Sequence, residues 1–215
     1  MQVNIVVFPI GSGGNFLCRA LTLDPATVPM GSLPLDSDVK QRLKAYSYDN
    51  IPSKQYNSFL NNGYSEWVDY ELNHMYFPLT RGIPELEQSN KILVEFMHPD
   101  QLATKIQLFG PSDKINFSVV DIVGCRNWVV DHRLHKGAYT DAQSVKKQTE
   151  QEYSATKLLI KKYNANTISL RKILYNEKSF INEYKKICDN LQLKCYPELA
   201  GLLYKTWKNT WPSLF

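Results

Sequence analysis

The chain has 215 residues, enough to bury a full hydrophobic core, and is most simply one α/β domain over 1–215. With 25 Lys and Arg against 21 Asp and Glu, its net charge is +4 and its pI about 8.7, a balance that suits a small anionic ligand and is too diffuse for a nucleic-acid surface. No apolar run approaches the roughly 18 residues that cross a bilayer, residues 1–8 lack the basic start and long apolar core of a signal peptide, and Cys18, Cys125, Cys188 and Cys195 form no CxxC pair. The expectations are a cytoplasmic protein with reduced packing thiols and neither a membrane nor a metal partner.

Residues 3–8 read as a buried parallel strand that Pro9 ends by removing a ladder donor. Gly11, Gly13 and Gly14 follow, and then a helix that Asn15 can cap and that carries Phe16, Leu17, Ala20 and Leu21 at helical spacing. A strand, a glycine loop and a helix start bring successive backbone N–H groups and the positive end of a helix dipole to one point, where a phosphate or sulfate fits. The same pattern also serves a βα turn that packs closely and binds nothing. No Gly-Lys-Ser/Thr triplet follows the glycines, which disfavours ordinary ATP or GTP hydrolysis, and the last glycine of a dinucleotide fingerprint is missing.

Residues 24–38 carry Pro25, Pro29 and Pro34 and read as an irregular connection over the first helix. Helices are expected at 39–47 and 63–75, the second presenting Trp67, Tyr70, Glu71 and His74 either to the core or to an acceptor or adenine ring. Residues 91–97 read as a second buried strand, followed by His98-Pro99 and an amphipathic segment over 100–109. Ligands in open α/β sheets sit beyond such carboxyl ends, so His98 is placed to take a proton from a hydroxyl, or else to cap the strand at the surface. A third strand over 115–123 closes at Gly124 and leads into a helix over 126–135 with Arg126 and Arg133. Either arginine suits a phosphate through its planar donor fork, or lies exposed on the helix. Asp121 inside that apolar strand points to the ligand edge, meets a cation or orients His98. Residues 140–166 are charged with a thin apolar stripe through Val145, Thr149, Tyr153, Thr156 and Ile160, as in a surface helix or a mobile lid. A short strand over 167–170 and amphipathic helices over 176–190 and 196–211 complete the chain.

The opening loop resembles the 5′-phosphosulfate loop of the sulfotransferase family, an aromatic-Pro-Lys-Ser-Gly-Thr-Thr-Trp run entering a helix. Phe8, Pro9, Ser12, Gly13, Asn15 and Phe16 match it in kind, with one extra residue after Pro9, while Ile10 and Gly11 stand where the family has its lysine. His98-Pro99 falls where the family carries its Lys-x-His-Leu-Pro segment, and Arg126-Asn127 near its Arg-(Asp/Asn)-Pro turn. The C-terminal pattern is similar to that of small sulfotransferase-like proteins of phages and bacteria. The resemblance implies a three-layer sandwich with a mainly parallel central sheet, P-loop-like, with C-terminal helices. It implies transfer of sulfonate from 3′-phosphoadenosine 5′-phosphosulfate (PAPS) to a hydroxyl or amine of a small-molecule or glycan acceptor, with no metal. On it, Gly11, Ser12, Gly13, Gly14, Asn15 and Phe16 hold the 5′-phosphosulfate, His98 is the general base and Arg126 reaches the 3′-phosphate. Two other classes stay open: a non-catalytic P-loop-like module that binds a nucleotide or phosphate, and an atypical small-molecule kinase.

Overall fold

A computed structural model of the chain describes residues 2–29, 33–47, 90–102, 106–109, 114–135 and 141–210. The helix expected over 63–75 lies outside the described residues. Four strands, β1 (Gln2–Val7), β2 (Leu93–Met97), β3 (Lys114–Asp121) and β4 (Asn166–Ser169), form a sheet ordered β2-β1-β3-β4. Every pairing is parallel, with Val3 opposite both Leu93 and Ile115, and Val119 opposite Thr167. The α-helices among the described residues are α1 (Gly14–Leu21), α2 (Val39–Tyr46), α3 (Arg126–His135), α4 (Ala142–Tyr163), α5 (Leu170–Tyr175), α6 (Glu177–Leu191) and α7 (Pro197–Thr210), with a 3-10 turn at Ile106–Leu108. None of them is long and apolar enough to cross a membrane.

Side chains alternate across a strand, so β1 sends Val3, Ile5 and Val7 to one face and Asn4, Val6 and Phe8 to the other. Both faces are buried, which explains why residues 3–8 read as an apolar run interrupted only at Asn4. Val6, Val94, Phe96 and Val120 meet α1, α6 and α7 in one core. Val3, Ile5, Val7, Leu93 and Val119 meet a second core to which α4 adds Leu159, Ile160 and Tyr163. The result is a three-layer α/β sandwich. α4 is a surface helix and not a lid: it forms one of the layers, and Tyr163 stacks on Phe117 at 4.4 Å between ring centroids. Residue 170, expected to end a strand, instead starts α5, because Ser169 caps it by accepting from Lys172 N.

Two buried polar groups tie the layers together. Asn4 donates to the carbonyl of Leu191 at 3.0 Å and accepts from Asn116 at 2.9 Å, which fixes the end of α6 to the sheet. Arg42 of α2 is fully buried and donates to the carbonyls of Thr22, Asp24, Thr27 and Ser37, gathering the proline-rich connection after α1 around one guanidinium. Burial holds its pKa below the usual arginine value, against the opposing pull of Tyr46, Asp24 and Tyr196.

Candidate functional site

The connection from β1 leads to β2 on one side, and the chain then crosses to β3 on the other, so the carboxyl end of β1 is the sheet's switch point. The glycine loop leaves β1 there. Ser12 closes a tight turn, its amide and its hydroxyl both donating to the Pro9 carbonyl at 3.1 and 2.7 Å. Gly11 and Gly13 adopt φ of 77° and 75°, a region that excludes most side chains. Gly13, not Asn15, is the N-cap of α1, and it brings no side-chain hydrogen bond. Leu17 N–H is the first to return, to Gly13 O at 3.0 Å. The amides of Gly14, Asn15 and Phe16 thus precede the helix's own bonding and form, with its dipole, an anion-ready end.

The glycines also answer to packing. A Cβ on Gly11 would lie 2.8 Å from Arg133 Cγ, one on Gly13 3.2 Å from Trp207 Cζ2, and one on Gly14 2.5 Å from Phe8 Cγ. Close approach of a helix and two buried rings is therefore part of what the loop's composition achieves. Phe16 contributes only its amide to the loop, since its ring is buried and stacks on Trp207 at 4.3 Å, with Phe180 at 5.1 Å.

His98 follows β2 and lies beside the loop. Its Nδ1 is 3.1 Å from the Phe8 carbonyl and its ring meets the Phe8 ring edge-on at 4.8 Å. A carbonyl only accepts, so Nδ1 carries the proton and Nε2 carries the lone pair of a base. Burial pushes the imidazole pKa below 6.5, the Phe8 carbonyl, Glu152 and Asp100 push it up, and Arg133 pushes it down. Burial prevails, and His98 is neutral at pH 7, the state a general base requires.

Beneath the loop lies a charged cluster that the sequence did not reveal. His132 Nδ1 donates to Gly11 O at 2.7 Å and Arg133 Nε to Ile10 O at 2.7 Å. Arg133 Nη2 pairs with Glu152 Oε2 at 2.5 Å, and the same oxygen accepts from Ile10 N at 2.9 Å. The Arg133 side chain is 0% exposed, so the reading of it as an exposed helix residue is corrected. Glu152 escaped notice although it continues the stripe through Val145, Thr149 and Thr156 at three- and four-residue steps. A charge at such a core-facing position is the signal that could have found it.

The other expected residues lie elsewhere. Arg126 opens α3 and pairs with Glu150 at 2.8 Å, nearly half exposed and 5.0 Å from the Tyr153 ring. Asp121 accepts from Val123 N at 3.0 Å in the turn after β3, while His98 Nδ1 is held by the Phe8 carbonyl. No protein-family model matches the chain, and no curated protein or solved structure is detectably similar to it.

Proposed function

We propose that the chain is a sulfotransferase-like enzyme of P-loop-like fold that transfers the sulfonate of PAPS to a hydroxyl or amine on a small molecule or glycan. The observation that carries this reading is His98, its Nδ1 held by the Phe8 carbonyl, beside a helix start without a side-chain cap. In the reaction the acceptor's proton passes to His98 Nε2 as its oxygen or nitrogen attacks sulfur. The bond from sulfur to the phosphate oxygen breaks, and adenosine 3′,5′-bisphosphate leaves. Charge gathering on that phosphate is met by the amides of Gly11, Gly13, Gly14, Asn15 and Phe16 and by the α1 dipole, fixed dipoles that need no reorganisation. With Ile10 and Gly11 where the related loops have a lysine, this array supplies the loop's stabilisation without a cation of its own. Arg126 would reach the 3′-phosphate by exchanging Glu150 for it. The four free thiols suit a cytoplasmic, reducing setting.

A second reading is favoured by Glu152, whose carboxylate already occupies the Ile10 amide. In it the chain binds a phosphate or nucleotide and performs no transfer. A thermal-shift series separates the classes, because a ligand that binds only the folded state raises its melting temperature. Adenosine 3′,5′-bisphosphate should stabilise the protein where ATP with magnesium does not; the reverse result would make the chain an atypical kinase. His98→Ala should abolish turnover and leave bisphosphate binding intact. Normal turnover in that variant removes His98 from the chemistry.

A further inference from the structure

Ile10 is held at both ends of its backbone by side chains from the far half of the chain. Its N–H donates to Glu152 Oε2, its carbonyl accepts from Arg133 Nε, and Arg133 Nη2 closes the ring on the same Glu152 oxygen. Arg133 Nη1 is spent on Thr149 Oγ1 at 3.1 Å, so each nitrogen of the guanidinium has a partner. The missing side chain of Gly11 admits the Arg133 stem, so loop and ion pair interlock. His132 holds the next carbonyl along, that of Gly11.

In a trans peptide the carbonyl and the following amide point in opposite directions. With the Ile10 oxygen drawn to Arg133, the Gly11 N–H is turned away from α3, to the other side of the loop. A helix pair can be held together without this. Apolar side chains of similar volume would join α3 to α4 with no charge to desolvate, but they could not grip an amide and a carbonyl of the loop at once.

We infer that Arg133 and Glu152 are positioning residues that preset the glycine loop for its anion, acting through the 10–11 peptide and not by touching the ligand. This rests on the anion-site reading of the loop given above. It also assigns the cluster a direction of action: the dock takes up the loop's oxygens and one amide, and leaves the Gly11 amide on the side away from α3.

The test uses the full chain and two probes, inorganic sulfate and adenosine 3′,5′-bisphosphate, followed by amide chemical shifts and by calorimetry. Glu152→Gln keeps the shape and loses the charge, and Arg133→Lys keeps the charge and loses the fork. Arg42→Lys serves as the comparison, since it damages a buried arginine at the other end of α1. We expect the first two variants to bind the bisphosphate at least about tenfold more weakly and to lose the sulfate response of the Gly11 amide, while those of Gly14 and Phe16 persist. Arg42→Lys should bind as the wild type does despite a lower melting temperature. If loss of affinity merely follows loss of stability across all three, or if Glu152→Gln binds normally, the positioning role is wrong and the anion site stands. If the wild type binds neither probe, the anion site itself is wrong and the dock has nothing to preset. Should Glu152→Gln not fold, Arg133→Lys decides the matter alone.

Discussion

Replacing Gly14 with alanine tests the loop's packing without introducing a charge or a strained backbone, because Gly14 is already helical. The new Cβ would fall 2.5 Å from Phe8 Cγ and closer still to two further ring carbons. Carbon atoms in good contact lie about 3.5–4.0 Å apart, so the ring must retreat by about 1 Å or α1 must shift by as much. Phe8 is 4% exposed, with Phe96 at 6.2 Å and His98 at 4.8 Å between centroids, so it has no open side to move into. Overpacking of this kind costs about 1–3 kcal/mol, and the gain in helix propensity returns at most about 1 kcal/mol, less at a first turn. A net loss of about 2 kcal/mol, with a urea slope of about 2 kcal/mol/M, lowers the unfolding midpoint by about 1 M at unchanged slope. A second substitution, Phe8→Leu, should restore part of the loss, with a coupling of about 1 kcal/mol in the double-mutant cycle. An unchanged or higher midpoint for Gly14→Ala would mean that the helix start does not lie against this ring, and the account of the loop would fail.

His98 gives stability a pH dependence of defined sign. Burial holds its pKa in the folded state below the 6.5 of the unfolded chain, although the Phe8 carbonyl, Glu152 and Asp100 oppose this and Arg133 reinforces it. The unfolded chain therefore takes up the proton first, and stability is full above about pH 6.5 and declines as the pH falls toward the folded value. In His98→Gln that decline should shrink over about pH 7.5 to 5.5, measured by urea midpoints; an identical slope would refute the assignment. Arg126→Ala should change stability by less than about 1 kcal/mol, as the pair with Glu150 is nearly half exposed. It should also erase any preference for adenosine 3′,5′-bisphosphate over adenosine 5′-monophosphate in competitive binding, and a preference that survives would remove Arg126 from the site.

The strands were legible in the sequence because a strand buried on both faces leaves a near-continuous apolar run, interrupted only by Asn4 in residues 3–8 and by Glu95 in residues 92–97. The C-terminal helices were legible because one stripe of each is buried in the core: Phe180, Tyr184, Ile187 and Leu191 in α6, and Ala200, Leu203 and Trp207 in α7. What stayed hidden was charge turned inward. Apolar periodicity assigns Arg133, Glu152 and Arg42 to water, since a charged side chain is buried only where partners await it. Arg133 and Glu152 partner each other, and the remaining partners are largely backbone groups of separate loops, which carry no side-chain signature. The layer role of α4 was missed for a related reason: its sheet-facing residues cluster at the C-terminal end, in Leu159, Ile160 and Tyr163, while its first half serves the loop. His98 could be placed from sequence because a residue that directly follows a buried parallel strand has little freedom of position.

The hydrogen bond from Ile10 N–H to Glu152 beneath the loop joins residues 142 positions apart, and the bond from His98 to Phe8 spans 90. During synthesis the glycine loop emerges well before the residues of β2, α3 and α4 that hold it. Until α3 has emerged the nascent loop lacks its guanidinium, until α4 has emerged Ile10 N–H lacks its acceptor, and β1 has no partner before β2, some ninety residues later. Such distant pairings close slowly, so the glycine loop takes its final shape only after α4 has joined it.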